Sequence, residues 1–251
     1  MQDYHKQYAE YYDLLTGHKD YEKEVDLLLK FILENGFNSN SKILSIGCGI
    51  GKHENLLASH FKEVVGIDKS SYMIEKAKSS YQKNNLEFIC CDLKDLKSKN
   101  FDIVISLFNV FNCVRNLQDL SEIMKEVKKL IDKKSIFVFE LWNKDAVEKD
   151  PPTTITRQYK NKDIYIKRVA KPIFEIDKSL ITLNYEVSGT NKNQAFDLKS
   201  THKIYLHSND NIEKCLKNNK FVNIEWYSAL SENLKNFNTK DRMLFCKSNS
   251  F

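Results

Sequence analysis

Apolar residues along the chain follow two alternating patterns. From Asp20 to Glu34, the residues Val25, Leu28, Leu29 and Ile32 fall at helical spacing, and Gly36 suits the C-terminal stop. Lys42 to Ile46 is then a short apolar run that reads as a buried strand. The same pattern returns at Val64 to Ile67, Leu86 to Cys90, Phe101 to Leu107 and Ser135 to Leu141. Helical stretches lie between the runs. One contains Leu56, Leu57 and Phe61. A second, capped by Ser70 or Ser71, runs to about Lys83 with Met73, Ile74, Ala77 and Tyr81 on its apolar face. A third spans Leu117 to Ile131. This alternation predicts an α/β fold: a parallel sheet with helices on both faces.

The pattern changes near Trp142, and Pro151 and Pro152 mark a break. From Thr154 to Leu206 the chain is rich in β-branched and aromatic residues of alternating polarity (DIYIKRVAKP, SLITLNYEV, THKIYLH). Such segments predict an antiparallel sheet. A helix from Ser208 through Asn218 and two last strands, Val222 to Tyr227 and Arg242 to Cys246, return to the first pattern. The expected organisation is a helical cap over residues 1–40, an α/β core over 41–150, an antiparallel insertion over 151–207, and the core's last helix and strands over 208–251.

Composition changes this picture little. A chain of 251 residues with 41% hydrophobic and 12% aromatic residues can bury one large core with an insertion. No apolar run approaches the roughly 20 residues of a membrane span, and the opening MQDYHKQYAEYYDLL is unlike a secretory signal. A cytoplasmic location is the expectation. The net charge of +5 comes mostly from scattered Lys; Arg115, Arg157, Arg168 and Arg242 are the Arg residues. Scattered Lys argue against nucleic-acid binding. The cysteines Cys48, Cys90, Cys91, Cys113, Cys215 and Cys246 lack zinc spacing and read as reduced, mostly core residues. No metal is expected, because no His/Asp/Glu group has ligand spacing.

The chain has seven glycines, and Gly47, Gly49 and Gly51 lie within one short turn after the first predicted strand. Glycine there lets a ligand approach the main chain. Asp68 ends the second strand (VVGID), about where an acid accepts hydrogen bonds from ribose hydroxyls. Asp92 ends the third (FICCD) and can accept from an adenine amine. In a dinucleotide fingerprint the third glycine comes one residue later, so a ligand without phosphates fits better. Lys52 and His53, just inside the helix, suit a carboxylate or solvent.

Residues Ile43 to Leu141 resemble the class I S-adenosylmethionine-dependent methyltransferases, which implies a Rossmann-like seven-stranded sheet. On that resemblance Gly47, Cys48, Gly49 and Gly51 would lie against the methionine part and ribose of S-adenosylmethionine. Asp68 would hold the ribose, Met73 would pack near the adenine, and Asp92 and Leu93 would meet its edge. Leu107, in the stretch Ser106 to Asn109, would line the cofactor facing the acceptor. The family commonly carries an acid where Ser45 stands, which leaves an orienting contact to the methionine moiety without its usual residue.

The opening YYDLLTGHKDYEKE, the stretch FNVFNCV, the strand FVFELW and the block ending THKIYL look like bacterial small-molecule methyltransferases, including those that methylate amino sugars carried on nucleotides. The implied activity is methyl transfer from S-adenosylmethionine, leaving S-adenosylhomocysteine, to N or O of a small polar metabolite. An activated sugar or surface-glycan precursor, such as a nucleotide sugar, is the expected acceptor, and the antiparallel sheet would be an acceptor lid. A homodimer is compatible with such a chain. A non-catalytic S-adenosylmethionine sensor or partner-binding module is the alternative. Where the amino-sugar enzymes can place a His, this chain has Cys113, beside Asn112. Candidate bases are therefore Glu140, at the end of the fifth strand, and His202, in the antiparallel block; each could instead be a structural residue. His5, His18, His60 and His207 read as surface residues. The N-terminal segment of Tyr4, Tyr8, Tyr11 and Tyr12 would close over the cofactor, with Tyr12 or Tyr21 in contact. Asn109, Asn112, Trp142 and Tyr185 are acceptor-pocket candidates, although core packing is the commoner fate of a lone Trp.

Overall fold

The computed structural model describes residues 11–12, 14–17, 19–97, 100–160, 162–192, 194–228 and 243–250. His5, His18, Tyr4, Tyr8 and Arg242 lie outside the described residues. The first half alternates as its sequence pattern predicts. Helix α1 (Tyr21–Glu34) starts at the Asp20 cap and is followed by β1 (Lys42–Ile46), α2 (Lys52–Leu57), β2 (Glu63–Asp68), α3 (Ser71–Ser80) and β3 (Leu86–Cys90). Strand β4 (Phe101–Ser106), a 3-10 turn (Val110–Cys113), α4 (Leu117–Leu130) and β5 (Ile131–Trp142) complete it. Ser70, not Ser71, caps α3, and the helix stops where Tyr81 becomes extended. Strand β5 begins before its apolar run because Ile131 pairs with Phe101 across a register shift. The short helix α5 (Lys144–Lys149) carries too little periodicity to be foreseen.

The chain then forms β6 (Ile155–Lys160), β7 (Ile164–Glu175), β8 (Leu180–Asn191) and β9 (Gln194–Tyr205), and returns through α6 (Asn209–Asn218), β10 (Phe221–Ser228) and β11 (Met243–Ser250). The seven-stranded sheet has the order β10-β11-β5-β4-β1-β2-β3; the other four strands form a separate antiparallel sheet in chain order. Strands β1 to β5 are mutually parallel, and β11 joins β5 antiparallel. The order reverses between β1 and β4, so the carboxyl ends of these two strands flank the crevice where open α/β sheets bind ligands.

Both faces of the large sheet are covered, which is why its strands are continuously apolar. Leu44, Ile46, Val104 and Phe137 pack with Leu120 and Met124 of α4 and Ile212 and Leu216 of α6. Ile43, Val64, Ile105 and Val138 pack on the other face with Val25, Leu28, Phe31 and Ile32 of α1. Helix α1 is thus packed as a layer on this face of the sheet. Among the described residues no helix is long and apolar enough to cross a membrane.

The small sheet packs against the rest of the molecule at two ends. At one end Ile166 and Val187 pack with Tyr11, Leu15, Ile50 and Met73. At the other Ile181, Leu183, Ile204 and Leu206 pack with Val147 and Trp142. Asn112 ties this second end to the core. Its amide Nδ2 donates to the Tyr205 carbonyl (2.9 Å), and its Oδ1 accepts from the Trp142 N–H (2.7 Å). Asn112 is fully buried, so its expected acceptor contact is corrected to a structural clamp.

Candidate active site

The turn after β1 is tied to the end of β2: the N–H groups of Gly47 and Cys48 both donate to the Ile67 carbonyl. Its three glycines have different causes. A Cβ on Gly47 would lie 2.5 Å from Val110 Cγ2, and one on Gly51, the left-handed N-cap of α2, would strike the Phe88 ring. These two glycines serve packing. Gly49 also has a positive φ (+56°), but a Cβ there would meet nothing within 4 Å. Its bare backbone faces open space, the condition for a ligand to lie on it.

Asp68 leans toward the same turn. Its Oδ2 accepts from the Gly49 N–H (3.0 Å) and its Oδ1 from the Ser70 N–H (2.9 Å). Burial pushes its carboxyl above the usual carboxylate range against these hydrogen bonds. Asp92 lies at the end of β3, one strand further out, paired with Lys69 at 2.9 Å. Burial there acts upward, but the Lys69 hydrogen bond and charge dominate and hold it below its ordinary value. Met73 is buried against Ile50 and the lid. Leu93 is buried in the core with Ile89 and Leu96 packed around it.

A cleft of about 390 Å³, including its open mouth, runs along the turn. Tyr12, Tyr21, Gly47, Cys48, Gly49 and Leu107 line it with Ser45, Lys52, His53 and Phe108, and so does Glu54, to which the sequence pattern gave no role. Lys52 Nζ sits 4.5 Å from the Tyr21 ring centroid. His53 is buried and its Nε2 bonds Glu24 Oε2 at 2.9 Å, so it is not solvated. Glu54 is 2% exposed and accepts from Ser45 Oγ on Oε1 (2.5 Å), while its Oε2 is buried without a hydrogen-bond partner. Burial raises the Glu54 carboxyl's pKa.

Beyond the cleft, β4 ends in two consecutive left-handed residues, Phe108 (φ +60°) and Asn109 (φ +58°). Such residues are uncommon outside glycine. Glu140 holds this bend: its Oε2 accepts from the Phe108 N–H (2.8 Å). Burial raises the Glu140 carboxyl's pKa, opposed by the nearby Lys19. Lys19 pairs with Glu24 (3.1 Å) and stacks over the Phe108 ring. Asn109 Oδ1 is buried without a hydrogen-bond partner.

The lid's inner face carries a polar band between its two apolar roots. Tyr185 stands edge-on to His202 with ring centroids 5.0 Å apart, and Arg168 lies over the Tyr185 ring. His202 Nε2 shares a 2.7 Å hydrogen bond with Ser200 Oγ. Burial, with the Arg168 charge behind it, lowers the His202 pKa to about 4. Trp142 packs against the apolar cluster at the second root. His207, expected at the surface, is buried and bonds the Val114 carbonyl, while His60 is exposed. Only Cys215 and Cys246 of the cysteines are buried; Cys90 and Cys113 are exposed, because each ends its element at the sheet's rim or in a surface turn.

Sheet order, glycine turn and acid at the end of β2 define a Rossmann-like α/β domain. Residues 44–139 match the family described as "Methyltransferase domain". A putative methyltransferase of Invertebrate iridescent virus 6 is 38% identical over 98 residues, covering 37% of this chain and 36% of that protein. The chain spans between about a third and a little over half of the length of the curated relatives it matches. In fold it is similar to an S-adenosylmethionine-dependent methyltransferase from Clostridium acetobutylicum (TM-score 0.81, 19% identity, 98% of each chain covered). It is also similar in fold to an amino pentose methyltransferase of calicheamicin biosynthesis from Micromonospora echinaspora (TM-score 0.76, 14% identity, 100% of this chain and 99% of that one). These likenesses extend across the lid as well as the core.

The residues present fit the cofactor. The open space at Gly49, the Asp68 carboxylate pinned beside it and an unpartnered carboxylate oxygen in the wall suit a nucleoside carrying an amino-acid tail.

Proposed function

We propose that the protein is an S-adenosylmethionine-dependent methyltransferase acting on a small polar metabolite, an activated amino sugar carried on a nucleotide. The carrying observation is the cleft itself, open at Gly49, whose N–H is held by the Asp68 carboxylate at the end of β2. Bound there, S-adenosylmethionine supplies an activated methyl group. Gly47, Cys48, Gly49, Tyr12, Tyr21 and Leu107 would enclose its tail and ribose. Asp68 would accept from the ribose hydroxyls. Met73, Asp92 and Leu93 would border the adenine.

The lid supports an acceptor with a polar face and an anionic end. Arg157 and Arg168, two of the chain's four Arg, stand directly opposite one another in the β6–β7 register. Like charges in that position repel unless an anion lies between them, and a nucleotide diphosphate is such an anion. Tyr185 offers a ring for a sugar face, and the orphan Oδ1 of Asn109 offers an acceptor for an amine or hydroxyl proton. Trp142 would wall off water at the lid's root.

Nitrogen is favoured over oxygen as the methylated atom. A hydroxyl needs a base with a pKa near the working pH. His202 at about 4 is a poor one, and Glu140 is engaged with the Phe108 N–H. A free amine with a pKa around 8 is partly neutral at cellular pH and needs only positioning. Glu140 is thus a positioning residue of the bend that carries Asn109.

The test is release of S-adenosylhomocysteine across a panel of nucleotide-linked sugars with and without an amino group, with product masses read in parallel. Turnover of amino sugars alone is expected. Binding of S-adenosylmethionine with no turnover on any sugar would favour a sensor, and absence of binding would end both readings.

A further inference from the structure

The wall of the cleft holds a carboxylate with half of its hydrogen bonding missing. Ser45 is the last polar residue of β1 before the glycine turn, 2% exposed. Across the turn, the first turn of α2 brings Glu54 back beside it. Ser45 Oγ donates to Glu54 Oε1, and Glu54 Oε2 is left buried with no partner. Both residues line the cleft together with Gly47 and Gly49. A buried, half-satisfied carboxylate is costly unless something supplies a donor or a positive charge. The groups around it do not do so. Asp68 is a like charge, and His53, the neighbouring residue that helps to offset it, directs its Nε2 to Glu24. Ser45 spends its one proton on the other oxygen.

We infer that Glu54 is the residue that receives the α-ammonium group of the cofactor's amino-acid tail, with Ser45 as the positioning residue that aims it. The inference rests on the proposed binding of S-adenosylmethionine. It answers the question raised by Ser45, where related chains commonly carry an acid: the negative charge is still in the cleft, but comes from the helix after the glycines and not from the strand before them. An ammonium offers the charge and the donor that Oε2 lacks. It also accounts for an acidic side chain at a helix position whose neighbours Leu57 and Ala58 are buried against the core. Ligands that share the adenosine but lack the tail gain nothing from Glu54.

That distinction supplies the test. Calorimetric affinities for S-adenosylhomocysteine and for 5′-deoxy-5′-methylthioadenosine, which has no amino-acid tail, are compared in wild type, Glu54→Gln and the exchange variant Ser45→Asp/Glu54→Leu. Glu54→Gln is expected to weaken S-adenosylhomocysteine at least ~10-fold, the scale of one charge-assisted hydrogen bond. Methylthioadenosine affinity should be unchanged, and the exchange variant should recover most of the loss. Equal S-adenosylhomocysteine affinity in wild type and Glu54→Gln would overturn the assignment while leaving cofactor binding intact. Parallel loss of both ligands in Glu54→Gln would also overturn it, showing a structural role only. Failure of the wild type to bind either ligand would instead refute the cofactor reading on which the inference stands.

Discussion

Acidification should unfold this protein through its lid, and His202 sets the scale. The ring is 7% exposed, bonded to Ser200, edge-on to Tyr185 and near the Arg168 charge. Its pKa falls from an ordinary 6.5 to about 4 on folding. Between those values the unfolded chain holds a proton that the folded chain does not, so stability rises with pH across that window and is fully present above it. At 1.36 kcal/mol per pH unit the whole span is worth roughly 3 kcal/mol, of which about 2 kcal/mol is lost between pH 7.5 and pH 5. Burial leaves little solvent screening to reduce it. Urea unfolding at both pH values, in wild type and in His202→Gln, measures it. Glutamine keeps a polar partner for Ser200 and does not titrate there. Other titrating groups, His207 among them, contribute equally to both proteins, so the difference in pH dependence isolates His202. The wild type should lose about 2 kcal/mol more than the variant. Identical losses would refute the reasoning and return His202 to the list of candidate bases.

Other outcomes follow from the same geometry. Asp68→Ala should weaken S-adenosylmethionine about 100-fold by titration calorimetry, since the carboxylate orders Gly49 and is the proposed ribose acceptor; unchanged affinity would remove it from the site. Gly51→Ala should lower the thermal midpoint through about 2 kcal/mol or more, because it adds left-handed strain to collision with Phe88. Asn112→Ala should cost about 2–3 kcal/mol in denaturant unfolding by stranding the Trp142 N–H, without altering acceptor selectivity.

The donor half of the molecule was legible in the chain because its rules are local. Apolar runs mark strands buried on both faces, and a cluster of glycines marks where the backbone must turn. Asp68 and Asp92 follow from standing at strand ends. Residues fixed by long-range contact were not legible. Asn112 looks like a pocket amide until Tyr205, far along the chain, claims its Nδ2. His207 looks solvated until Val114 covers it. His202 loses its basicity only when the lid strands pair and bury it, with Arg168 nearby. Glu54 has a local signal as well. An acid stands three residues after Gly51, the last glycine of the turn.

The four lid strands leave the core after α5 and rejoin it before α6 as one uninterrupted stretch, paired in chain order. Nothing in that sheet is interleaved with the strands that carry the glycine turn and Asp68. On the proposed function, choice of what is methylated and possession of the methyl donor would therefore be written on separable lengths of polypeptide. A lineage, or an engineer, can redraw the roof as a cassette while the floor keeps its grip, provided the replacement keeps a handhold for Asn112 at one hem and for Ile50 and Met73 at the other.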